Sequence, residues 1–262
     1  MGVKTSITLQ EVQKLFPSYT FKTLIPTKSG VIDTTYILDE FILKRYERDI
    51  DTKVREDIKR LQFLKKSGLN VPLSLAQNGS WFLYEKLKGE VPKHITLKHI
   101  QALARFMAKM HRVNYKNYAR ESFLEQYDLN ASLYTLQKSF YFYYKKLSSL
   151  AHYTQKNDGF IHGDIFKDNT LFYKDKIAVF DFIDGGNGSF VFDISVALVA
   201  FNPHKCQSFT RAFLNTYNQR SPYKIELKEL QKEISSSAKL YSLLRLTSQR
   251  NSKRAKKLAN LW

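Results

Sequence analysis

One stretch limits the folds open to this chain more than any other. It runs from Phe160 to Ile194 and reads FIHGDIFKDNTLFYKDKIAVFDFIDGGNGSFVFDI. The apolar pair Phe160-Ile161 gives way to His162-Gly163-Asp164, and Asn169 follows Asp164 by five residues. Two apolar runs come next, Thr170-Leu171-Phe172 and Ile177-Ala178-Val179-Phe180, each with the length of a short strand. Asp181 ends the second run and Asp193 lies further on. A hairpin of this kind presents Asp164, Asn169 and Asp181 from the loops around it.

Those three side chains share a chemistry. Moving a phosphoryl group requires Mg²⁺ bridging nucleotide phosphates, held by oxygen donors. It also requires a carboxylate that orients the attacking hydroxyl and takes its proton. Asp164 suits the base; Asn169 and Asp181 suit the metal. Asp and Asn are also favoured in turns for local reasons. The combination of His-Gly-Asp, the spacing, the hairpin and the second Asp outweighs that plainer reading.

Composition narrows the field. At 262 residues, 43% hydrophobic and 14% aromatic, the chain can bury a full core as one large domain or two lobes. No apolar run approaches the length of a bilayer span, and the first residues lack the apolar stretch of a signal peptide. A single cysteine, Cys206, excludes an intrachain disulfide framework and a cysteine-based zinc site. A cytoplasmic protein without a membrane partner is expected. The net charge of +18 raises nucleic acid as a partner. Yet the basic residues are spread along the chain, and the one dense cluster is Arg250, Lys253, Arg254, Lys256 and Lys257. A solvated basic surface that attracts a polyanionic nucleotide is the preferred account, with nucleic acid the less favoured partner.

The order D-x-x-x-x-N, then D after a hairpin, is the order of the catalytic and metal loops in the protein-kinase-like fold. His162-Gly163-Asp164-Ile165-Phe166-Lys167-Asp168-Asn169 resembles the motif of the aminoglycoside phosphotransferase and choline kinase superfamily. Its HGD-aliphatic-F-x-D-N form, and the positions of Asp181, Phe182, Asn187 and Asp193, are most similar to the homoserine kinases of that fold. The resemblance implies an α+β, bilobal protein-kinase-like fold. Residues 1–88 would form a nucleotide-covering lobe with a small antiparallel sheet and one helix. Residues 89–262 would form a larger, mostly helical catalytic and substrate lobe.

Along the chain, short strands are expected over Phe21 to Pro26, Val31 to Leu38 and Glu40 to Tyr46, and a helix over Asp51 to Ser67 stopped by Gly68. Asn78-Gly79 between apolar runs signals a hairpin. The resemblance makes Lys44 the lysine that holds the α- and β-phosphates of ATP, steadied by Glu56 or, failing that, Asp57. It places phosphate contacts at Gly30 and Thr34, and the adenine hinge at Tyr84 to Leu87, with Glu85 and Leu87 as contacts. In the second part, amphipathic helices are expected over Thr96 to Tyr115 and Phe123 to Tyr153, then over Ser208 to Asn218 and Ile225 to Leu261. His111 is read as a packed or capping histidine. The run Phe140 to Tyr144 is read as core packing with two exposed tyrosines. His162 and Asp193 are structural support for the catalytic loop, with Asp193 opening the helix that follows it. Asp184 either meets a substrate ammonium or is a turn residue ahead of Gly185-Gly186, and Arg245 either binds a substrate carboxylate, as the resemblance implies, or is a surface arginine.

The implied reaction is ATP- and Mg²⁺-dependent phosphorylation of a hydroxyl on a small metabolite. Homoserine comes first, then choline or ethanolamine, then an aminoglycoside. A non-catalytic kinase-like module that binds nucleotide or RNA is the reading from a different class. The residues leave open the oligomeric state and the choice between ATP and GTP.

Overall fold

The computed structural model describes residues 3–27, 33–113, 121–201, 207–247, 255, 258 and 259. Helix α1 (Leu9–Leu15) begins at a capping box: the Thr8 hydroxyl accepts from the Glu11 amide while Glu11 accepts from the Thr8 amide. Strands β1 (Ile25–Pro26), β2 (Thr34–Leu38) and β3 (Phe41–Arg45) follow, then helix α2 (Asp51–Lys66). Gly68 ends α2 in the left-handed region, at φ 76°. Strands β4 (Ser74–Asn78) and β5 (Trp81–Glu85) form the hairpin expected at Asn78-Gly79. The five strands make one antiparallel sheet in the order β1-β2-β3-β5-β4. Val12 and Phe16 of the α1 region pack with Tyr36, Leu38, Leu43, Trp81 and Leu83 to form its core.

Helix α3 (Leu97–Arg112) is capped by Thr96 and His99. The long helix expected from Phe123 to Tyr153 is instead broken. It comprises α4 (Leu129–Ser139) and α5 (Tyr141–Leu147), with short 3₁₀ turns on either side. Phe140 ends one helix and starts the next at φ −146°, outside helical space. Phe140, Tyr141 and Phe142 are exposed, while Tyr143 and Tyr144 pack on the core. Two phenylalanines and one tyrosine thus lie outward, where two tyrosines were expected.

Strand β6 (Gly159–Ile161) leads to the hairpin of β7 (Thr170–Tyr173) and β8 (Lys176–Val179), and β9 (Gly186–Gly188) returns to pair with β6. Helices α6 (Phe190–Phe201), α7 (Gln207–Arg220) and α8 (Leu227–Thr247) complete the order. Helix α3 packs on α7, and α6 on α8. A core built on Phe123, Leu136, Leu147, Ile161, Phe192 and Leu243 joins α4, α5, α6 and α8 to β6, and Phe166 of the loop after β6 packs against it. Among the described residues, no helix is long and apolar enough to cross a membrane.

The chain divides into two compact units. The first is Met1–Pro92 with Thr170–Ile183, and the second is Lys93–Asn169 with Asp184–Trp262. The β7–β8 hairpin therefore belongs with the sheet-bearing unit. The Val179 amide donates to the Asn70 carbonyl (3.1 Å), and Glu90 and Phe172 exchange two backbone bonds (3.1 and 2.9 Å). Gly89 permits that approach: a Cβ there would stand 2.8 Å from the Phe172 carbonyl oxygen.

Candidate active site

In the second unit the loop after β6 carries Asp164. Gly163 before it sits at φ 75°, and a Cβ at that position would overlap the ring of Phe123, so only glycine fits. The Gly163 amide donates to Asp193 Oδ1 (2.7 Å) and the His162 amide to Asp193 Oδ2 (3.3 Å). Asp193 is wholly buried and also bonds His111 Nε2 (3.0 Å). His111 is fixed in turn by the Tyr217 hydroxyl (2.9 Å) and by stacking on Phe190 (4.2 Å between ring centroids). Helix α6 starts at Phe190, so Asp193 lies within its first turn and does not open the helix as expected.

Asp164 itself is tied from several sides. Its amide donates to His162 Nδ1 (3.1 Å), and its carbonyl accepts from the Phe166 amide (2.8 Å). The Asn169 amide nitrogen donates to both the Asp164 carbonyl and Asp164 Oδ2, each at 2.9 Å. With its nitrogen committed to Asp164, Asn169 has its carbonyl oxygen as the end suited to a cation. Helix α8 reaches the same loop. The Tyr241 hydroxyl donates to the Gly163 carbonyl. The Arg245 guanidinium lies over the rings of Phe166 (5.3 Å) and Tyr241 (5.8 Å). Burial, and then the neighbouring Asp164 carboxylate, push the Tyr241 phenol well above its ordinary value, so it stays protonated. Asp184 is partly buried, its carbonyl accepting from Gln126 (3.2 Å).

In the first unit the corresponding centre is Lys44 on β3. Its ammonium donates to Asp181 Oδ1 (2.8 Å) and pairs more loosely with Asp33 (3.7 Å), lying over the Tyr46 ring (4.5 Å). Burial lowers the Lys44 pKa, but Asp181 and Asp33 more than offset it, and the net shift is upward. Asp181 adopts φ 67°, rare for a residue with a side chain, and that side chain is 38% exposed. The carboxylates that meet Lys44 are thus Asp181 and Asp33, not Glu56 or Asp57. Glu56 lies on the exposed side of α2. Asp57 is buried and paired with Arg60 (3.0 Å), whose guanidinium also points to the Phe182 carbonyl at 3.5 Å.

Thr34 departs from expectation too. Its hydroxyl accepts from the amides of Lys4 (2.9 Å) and Thr5 (3.0 Å) and donates to Glu47 Oε1 (2.6 Å). Fully buried and fully bonded, that side chain faces the core, not a phosphate. In the hinge segment the Glu85 side chain pairs with Lys65 (2.8 Å), its amide donates to the Leu73 carbonyl (2.9 Å), and Leu87 is buried. Gly30 and the basic cluster at 250–257 lie outside the described residues apart from Ala255.

Asn169 and Asp181 offer hard oxygen donors, which suit Mg²⁺. Among the described residues no group of three His, Cys, Asp or Glu gathers as a metal site. Mg²⁺ does not need one, since it takes one or two protein oxygens and fills the rest from phosphates and water.

The α+β architecture has close counterparts among solved structures. An amicoumacin kinase in complex with AMP-PNP and Ca²⁺ superposes with a TM-score of 0.71 at 19% identity, over 96% of this chain and 92% of its own. An aminoglycoside phosphotransferase solved with streptomycin and ATP gives 0.69 at 17% identity, over 97% of each chain. The macrolide 2′-phosphotransferase of Brachybacterium faecium gives 0.66 at 14% identity, again over 97% of each. The fold is therefore that of the kinase-like small-molecule phosphotransferases. No match is found among curated proteins. The model of the phosphotransferase enzyme family matches residues 23–227, and the chain belongs to that family. It is thus a phosphotransferase enzyme, as its motifs led one to expect.

Proposed function

We propose that this enzyme transfers the γ-phosphate of ATP to the hydroxyl of homoserine. Asp164 orients that hydroxyl and accepts its proton. Lys44 holds the α- and β-phosphates, and the backbone from Glu85 to Leu87 reads the adenine. Asn169 and Asp181 would each offer an oxygen to Mg²⁺, which when bound would offset the charge of the phosphates. Residues 1–88, together with the β7–β8 hairpin and Asp181, serve the nucleotide, and the rest of residues 89–262 serve the acceptor, in the cytoplasm.

The observation that carries this function is the pair of hydrogen bonds that the Asn169 side-chain nitrogen donates to Asp164. It sets a carboxylate and an amide oxygen side by side, as a base next to a metal ligand requires. Homoserine is favoured by Arg245, which lies over Phe166, two residues beyond Asp164, and can take a substrate carboxylate. An aminoglycoside is the second reading, supported by the likeness to a phosphotransferase solved with streptomycin. The net charge of +18 weighs against so cationic an acceptor.

The test is γ-phosphoryl transfer to homoserine, choline, ethanolamine and kanamycin, with and without Mg²⁺. Phosphohomoserine as the main product, abolished by Asp164→Asn, is the expected result. Kanamycin as the main acceptor would replace homoserine. No transfer to any acceptor, with tight and salt-dependent RNA binding, would overturn the enzymatic reading.

A further inference from the structure

We propose that Tyr241 is a positioning residue for the catalytic loop, pinning the peptide plane from which the Asp164 side chain departs. This rests on the reading of Asp164 as the base. The peptide joining Gly163 to Asp164 is a rigid plane with one acceptor and one donor. Its carbonyl accepts from the Tyr241 hydroxyl, and its amide donates to His162 Nδ1 (3.1 Å). With both ends bonded, the plane cannot turn about the line between its two Cα atoms, so the backbone angle that aims Asp164 is set.

The preceding peptide is fixed separately. Its amide, on Gly163, donates to Asp193 Oδ1 (2.7 Å), so α6 holds one plane and α8 the next. Gly163 cannot resist rotation by itself, because it lacks the Cβ that restricts other residues. An external bond is therefore the means of holding this plane. The rest of Tyr241 supports its hydroxyl. The ring meets Phe166 edge-on (5.4 Å, 77°) and stacks near Phe192 (6.5 Å, 19°), and Arg245, one turn on, covers it from another side. Tyr241 also stands on the same helix as the proposed carboxylate anchor, Arg245. Acceptor binding and the aim of the base thus share one element.

Tyr241→Phe keeps the ring contacts and removes only the hydroxyl. Hydrogen exchange of the full chain without ligand, followed by mass spectrometry over residues 160–169, should be about 10-fold faster in the variant. With homoserine and ATP, kcat should fall about 10- to 100-fold while both KM values stay within about twofold. A role limited to packing would leave both measurements at wild-type levels, since the ring remains. Unchanged exchange over 160–169 overturns the proposal whatever the activity. Wild-type kcat in Tyr241→Phe beside an inactive Asp164→Asn also overturns it, while leaving the base in place. An active Asp164→Asn instead removes the base reading, and the exchange data still decide whether Tyr241 holds the loop.

Discussion

The two units hold their reactive side chains by different means. In the first, Lys44 lies between Asp181 and Asp33, and what binds them is charge. Asp181 is partly exposed, so its pair with Lys44 contributes little net stability and is weakened by salt. On the proposed function, a phosphate takes Lys44 and a cation takes Asp181, an exchange that charge pairs allow. In the second unit Asp164 is held by backbone bonds, by a glycine no other residue can replace, and by the buried Asp193. Unmaking those bonds strands polar groups away from water, so they do not rearrange. One region is built to change partners and the other to keep its geometry.

That contrast predicts where mutations act. The largest effect belongs to Asp164→Asn, which keeps shape and hydrogen bonding but not basicity. We expect kcat to fall by about 10²- to 10⁴-fold with an unchanged melting temperature. Next is Asp193→Ala, which removes the acceptor shared by His111, His162 and Gly163. A loss of about 3 kcal/mol in unfolding free energy is expected by denaturant titration. A cost below about 1 kcal/mol would mean that the second unit is no more rigidly built than the first. Lys44→Met should do the reverse: kcat/KM for ATP falls about 10²-fold, yet stability changes by less than about 1 kcal/mol. If Lys44→Met unfolds the chain, the exchangeable pair is structural after all.

The same division governs what could be read from the sequence. The contacts within the Asp164 loop were legible because their partners, His162 to Asn169, lie in one continuous stretch. Gly68 and the Asn78-Gly79 pair were legible because backbone geometry demands those residues. The partners of Lys44 were not. Asp181 lies 137 residues away, and the choice of Glu56 depended on which side of α2 faces inward. One step along that helix, Asp57 turns inward and is taken by Arg60. Thr34 carried a usable signal, since it alternates with Tyr36 and Leu38 on the buried face of β2. The break at Phe140 carried none: no glycine or proline marks it, and aromatic residues are tolerated in helices. The Tyr241 contact was hidden for the reason the Lys44–Asp181 pairing was, since Tyr241 lies 78 residues from the carbonyl it meets.

The smallest expected effect tests whether charge in the first unit matters away from Lys44. Glu47 accepts from the hydroxyls of Thr34 (2.6 Å) and Thr5 (2.8 Å) and faces Arg45 (3.5 Å). Burial raises its pKa, but those hydrogen bonds and Arg45 outweigh burial, and the net shift is below the ordinary 4.5. A carboxyl lowered by folding stabilises the folded state while pH stays above its unfolded value. That contribution is lost as pH falls through the folded value, where both states are protonated. Stability should therefore decline on acidification below about pH 4.5, by roughly 1 kcal/mol or less from this group. Glu47→Gln should flatten that part of the curve, with the change confined to exchange-protected amides near Thr5 and Thr34. An acid slope identical in Glu47→Gln and wild type would show that this carboxylate is held by shape alone. The first unit would then keep its charge-based order only where ligands are to be exchanged.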